Sequence, residues 1–210
     1  MHVEQPYTPK TWPESPERAT LEGKNKFLGF WLFLGGETVL FASLFATYLA
    51  LKDKVPNPAT DVLAKDLFEL PLAFLMTMLL LTSSITSVYA IYHMKNYHFK
   101  KMQAWLLITV LLGLGFLGLE IYEFYHYTHE YGFGFTTSAF SSAFYTLVGF
   151  HGAHVVFGLG WIIALMVRNA KRGLSLYNAP KFYVASIYWH FIDVVWVFIF
   201  TVVYLMGMVG

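Results

Sequence analysis

Apolar residues in this chain come in unbroken blocks, not in stripes. Five stretches, about 27–51, 70–93, 104–127, 138–167 and 182–208, each run past 20 residues with few polar interruptions. A helix that is apolar on all sides is surrounded by protein or lipid, and about 20 apolar residues cover the hydrocarbon thickness of a bilayer. The ten-residue alternation of a transmembrane barrel is absent. The pattern therefore predicts an all-α polytopic membrane protein, a bundle of five transmembrane helices.

Between and before the blocks the chain changes character. Residues 1–26, interrupted by Pro6, Pro9, Pro13 and Pro16, read as an N-terminal arm forming an extended surface segment, and 27–210 as the five-helix domain. Pro56 and Pro58 mark a short external connection. The first block is longer than a signal-peptide core, so it reads as an uncleaved helix. No internal repeat supports the inverted halves of many transporters.

Composition agrees: 57% of residues are hydrophobic and 13% charged, against about 45–50% and 25% in a soluble domain. No soluble domain is left to hold an active site. The basic residues give the expected orientation. Lys10, Arg18, Lys24, Lys26, Lys95, Lys100, Lys101, Arg168, Lys171, Arg172 and Lys181 fall on one side, and Lys52, Lys54 and Lys65 on the other. The positive-inside rule then places the N-terminus in the cytoplasm and the C-terminus outside. Cysteine is absent, which removes disulfides, thiolate metal sites and c-type haem attachment.

Chemistry must be sought among the few polar residues within the blocks. Glu37 lies in the first, Glu120 and Glu123 in the third, His151 and His154 in the fourth, His190 and Asp193 in the fifth. An ionisable group at that depth costs at least about 2.5–3.5 kcal/mol unless it faces protein. The i, i+3 pairs should therefore form polar stripes turned into a common bundle. Glu37, behind Gly35-Gly36, is a candidate proton-exchanging group, expected to approach a histidine of the fourth or fifth block at shared mid-membrane depth.

Two readings of these residues stand: a buried polar network that fixes helix packing, or a proton-exchanging or metal site. Helical bundles do hold di-iron through carboxylates and histidines. Glu120 and Glu123, however, should lie about 10 Å nearer the outer face than the mid-membrane histidines. The strings His126-x-x-His129 and His151-x-x-His154 resemble the histidine boxes of membrane desaturases, but those need more histidines at one depth. Gly113-x-Gly115-x-x-Gly118 matches the dinucleotide fingerprint only as text, since no strand precedes it. It reads as a helix-packing surface, like Ala42 with Ala46 and Gly149 with Gly152. Trp105, Tyr127 and Tyr183, near block ends, read as interfacial anchors.

Four motifs carry a family resemblance. Gly36-Glu37-Thr38-Val39-Leu40-Phe41, Leu119-Glu120-x-x-Glu123-Phe124, Phe150-His151-Gly152-x-His154-Val155 and Tyr188-Trp189-His190-Phe191-Ile192-Asp193-Val194-Val195-Trp196 occur in that order. Together they resemble subunit III of the haem-copper respiratory oxidases, in the five-helix bacterial form, most like the Gram-positive caa3-type. The resemblance implies an accessory subunit with no catalytic, cofactor-binding or metal-binding residues of its own, in the multi-pass membrane part of a cytochrome c oxidase that pumps protons and reduces oxygen to water. It implies haem and copper in the partner subunits, contact with subunit I and with subunits II and IV, bound phospholipid, no nucleic acid, and a bacterial plasma membrane. Glu37 matches the family's carbodiimide-reactive glutamate. A quinol oxidase subunit III, or an independent metal-dependent membrane enzyme, is the alternative.

Overall fold

The protein is described by a computed structural model at residue 8, residues 10–52 and residues 69–209. Five long helices carry the apolar blocks: α1 (Leu21–Leu51), α2 (Leu70–Lys95), α3 (Phe99–Glu130), α4 (Ala139–Asn169) and α5 (Ala179–Ile199). The last continues through a π-helical segment, Phe200–Leu205, into α6 (Met206–Val209). All five are long and apolar enough to cross a membrane, and no strand occurs among the described residues. Pro6, Pro9, Lys54, Pro56, Pro58 and Lys65 lie outside the described residues.

The helices start and stop on polar signals beyond the apolar blocks. Thr20 caps α1 by accepting a hydrogen bond from the Gly23 N–H at 3.0 Å, so the helix begins six residues before Phe27. Its first turns carry the ion pair between Lys26 and Glu22. A reciprocal capping box between Ser138 and Ser141 opens α4. In the turn after α4, Gly173 adopts φ 69°, and Asn178 Nδ2 donates to its carbonyl at 2.7 Å.

Packing follows from the neighbours each helix can reach. Helices α2, α3, α4 and α5 close into a four-helix ring, and α1 lies outside it against α4 and α5. Only 17% of the apolar window of α1 is buried, against 50% for the α5 span, which makes α1 peripheral and α5 the hub. Trp189 and Trp196 of α5 are fully buried. Their indole N–H groups donate to α2, Trp189 to Ser83 Oγ at 2.9 Å and Trp196 to Thr77 Oγ1 at 3.0 Å. Ser87 with Ser186 and Thr86 with Thr109 extend this hydroxyl face of α2 toward α5 and α3.

Two sequence expectations need correction here. The arm is not simply a surface segment from Lys10 onward: Trp12 is buried, with its ring 4.9 Å from that of Tyr97, and Glu17 is buried beside Lys95 at 3.5 Å. An indole gains more by covering the α2–α3 turn than by staying in water. Tyr97 itself takes a left-handed φ of 59° in that turn. Nor is Tyr127 an interfacial anchor. It is fully buried, because its hydroxyl donates to a carboxylate inside the ring, Glu123 Oε1, at 2.8 Å.

The glycine triplet of α3 is used at its first member. A Cβ on Gly113 would stand 2.8 Å from Leu159 Cδ2 and Trp189 Cη2, whereas Gly118 has open space. Gly113→Ala is therefore expected to destabilise the bundle by about 1–3 kcal/mol through overpacking, read as a lower melting temperature of the purified protein. Gly118→Ala should leave that temperature unchanged.

Candidate functional site

The candidate polar residues separate into distinct neighbourhoods. Glu37 of α1 and His154 of α4 meet directly, with Oε2 3.0 Å from Nε2 and both side chains 17% exposed. The partner expected for Glu37 from depth alone is thus His154. Phe41 packs its ring 5.1 Å from the imidazole, and the Tyr188 hydroxyl donates to the His154 carbonyl at 3.4 Å.

Proton bookkeeping at this pair is constrained by its other contact. His154 Nδ1 lies 2.7 Å from the Phe150 carbonyl oxygen, which can only accept, so Nδ1 carries a proton. One proton then remains between Nε2 and Oε2. Either Glu37 is neutral and donates to a neutral ring, or a carboxylate faces an imidazolium. Both forms have zero net charge, which suits a site at membrane depth. The pair can exchange one proton with whatever reaches it.

Inside the ring the acids behave differently. Glu123, fully buried, accepts from Tyr127 and, through Oε2, from the Tyr204 hydroxyl at 2.7 Å. The π-helical segment that follows α5 holds this second phenol. Glu120 is 2% exposed and presses on α4: a Cβ on Gly152 would stand 2.5 Å from its Oε1. Its oxygens therefore reach the level of His151 and Gly152 and do not lie about 10 Å nearer the outer face. Glu120 stands ten residues, about 15 Å, inside the end of α3 at Glu130, and its packing against α4 sets its level. His151, fully buried, sits among rings, 5.2 Å from Trp196 and 5.8 Å from Phe116.

On α5, His190 Nδ1 is 3.1 Å from Ser84 Oγ, and Asp193 is buried beside the same hydroxyl. The i, i+3 mates do not all share a partner: His190 and Asp193 meet at Ser84, whereas His154 turns to α1 and His151 to the ring interior. Contrary to the expectation that the chain has no Glu-x-x-His, Glu123-x-x-His126 has that spacing of di-iron bundles. The structure splits it, with Glu123 on two phenols and His126 Nε2 3.6 Å from Glu69. Among the described residues no group of three or more His, Cys, Asp and Glu side chains could hold a metal ion.

Residues 18–208 match the family model for cytochrome c oxidase subunit III. The chain belongs to the cytochrome c oxidase subunit III family. It is 76% identical over the whole of both chains to cytochrome c oxidase subunit 3 of Bacillus sp. strain PS3, and 73% identical over the whole of both to that of Bacillus subtilis. To the quinol oxidase subunit 3 of Bacillus subtilis it is 50% identical, over 90% of each chain. As a subunit III of a haem-copper oxidase, the protein contributes a helical bundle to an oxidoreductase complex in a membrane. Glu37 and His154 meet at the periphery of its bundle, and Glu123 with its two tyrosines lies in the interior.

Glu123 supplies a direct test of the interior arrangement. Tyr204→Phe leaves Oε2 buried without that donor, at a cost of about 1–3 kcal/mol. The melting temperature of the subunit should fall accordingly, and an unchanged value would argue that the phenol contributes nothing.

Proposed function

We propose that this chain is the cofactor-free accessory subunit III of a proton-pumping cytochrome c oxidase in a bacterial plasma membrane. In that complex it flanks subunit I, with subunits II and IV nearby, and the N-terminus faces the cytoplasm. Haem and copper reside in the partners, and the bundle binds phospholipid. The observation that carries this reading is the whole-chain identity of 76% to a cytochrome c oxidase subunit 3, against 50% to a quinol oxidase subunit 3. The basic residues on one side of the spans support the orientation.

Within this role the Glu37–His154 pair is a modulatory proton-exchanging site. It lies between the peripheral α1 and α4, part exposed, and it holds one mobile proton. The remaining polar residues, Glu120, Glu123, His151, His190 and Asp193, act through packing and hydrogen bonding, and none is a catalytic residue.

The complex purified through a tag on this chain should contain haem and oxidise reduced cytochrome c in preference to quinol. A haem-free preparation, or a preference for quinol, would overturn the assignment. Dicyclohexylcarbodiimide, an apolar reagent that adds to protonated carboxyls, should modify Glu37 and leave Glu120 and Glu123 unmodified, because only Glu37 is part exposed. Peptide mass spectrometry reads the adduct, and Glu37→Gln should abolish it.

A further inference from the structure

The outer face of α5 is flanked by α1 on one side and α2 on the other. Two grooves run along it, one lined by Leu34, Thr38 and Phe191 between α1 and α5, the other by Val88, Tyr92 and Tyr183 between α2 and α5. Both are lined by Ile187 and His190. Val194, one turn on, is 53% exposed. The two grooves form a single notch in the side of the bundle, with a histidine at its floor.

That histidine is the unusual feature. His190 lies eleven residues into α5, about 16 Å along the helix axis, too deep for an imidazole to reach the headgroup region. Its Nδ1 is taken by Ser84, and Nε2 has no hydrogen-bond partner among the described residues. Acyl chains offer an imidazole nitrogen nothing, and polar side chains at this depth pair with protein. The other polar groups lining the notch are already partnered, Thr38 with the Leu34 carbonyl, Ser186 with Ser87 and Lys95 beside Glu17, so one open polar point stands among apolar and aromatic neighbours, the pattern by which a transmembrane helix is fixed in register.

We propose that the notch between α1 and α2 seats a transmembrane helix of another oxidase subunit, which presents a polar side chain to His190 Nε2. The proposal rests on the reading of this chain as an oxidase subunit and names the face through which it associates. Ser84 orients the ring from behind, and Ile187 and Val194 supply the apolar contact along the seat. Asp193, buried beside Ser84, stays on the bundle side of the contact.

Photo-crosslinking in the intact complex tests this. With Val194 replaced by p-benzoylphenylalanine, illumination should join this chain to another subunit, whereas the same replacement at Ile121, exposed on α3, should give lipid adducts. In detergent challenge, His190→Leu should lower retention of this subunit several-fold, and His190→Gln, which keeps a hydrogen-bonding group, should restore it. Val194 adducts to lipid alone or to a second copy of this chain, or unaltered retention of His190→Leu, overturn the proposal while leaving the oxidase assignment standing. Purification of the chain free of haem subunits overturns both.

Discussion

Hydrocarbon offers no hydrogen bonds, and the shape of this bundle follows from how its interior polar groups find partners without water. The hydroxyl face of α2 is the main supply. Thr77 and Ser83 receive the two indole N–H groups of α5, Ser84 holds His190, Ser87 meets Ser186, and Thr86 meets Thr109. Slide α5 by one turn and both tryptophans lose their acceptors while Trp189 leaves the space at Gly113. Register and close packing are therefore fixed by the same contacts.

That arrangement separates two kinds of acid. Glu123 is clamped by two phenols and fully buried in the ring. Glu37 sits at the edge, against one histidine whose other nitrogen is committed to a carbonyl. The edge pair can change which atom carries its proton without changing its net charge.

The five spans were legible because hydrocarbon thickness sets block length, and the family resemblance lay in four short motifs. Partners were less legible. An i, i+3 spacing puts two side chains on one face yet about 60° apart, enough for His154 to meet α1 while His151 turns inward. Nothing in the string around Tyr204 or Tyr127 distinguished a carboxylate ligand from an interfacial ring, since both stand near block ends. Trp12 was likewise hidden within a proline-rich arm. The depth of Glu120 was misjudged because position within a block does not record how α3 packs on α4, which sets the Glu120 carboxyl beside Gly152. Shared depth pointed Glu37 to a histidine of the fourth or fifth block, and the packing of α1 on α4 selects His154 over His151 and His190.

Helix α5, on which α1, α2 and α4 all pack, is also the last of the five to leave the ribosome. Until it arrives, the hydroxyls of α2 lack the indoles they serve, Glu123 lacks Tyr204, and α1 has only α4 to rest on. Membrane insertion of the earlier helices thus yields a half-built ring whose polar faces stay open, available to chaperones and quality-control proteases. Synthesis of α5 and closure of the ring thus become one event.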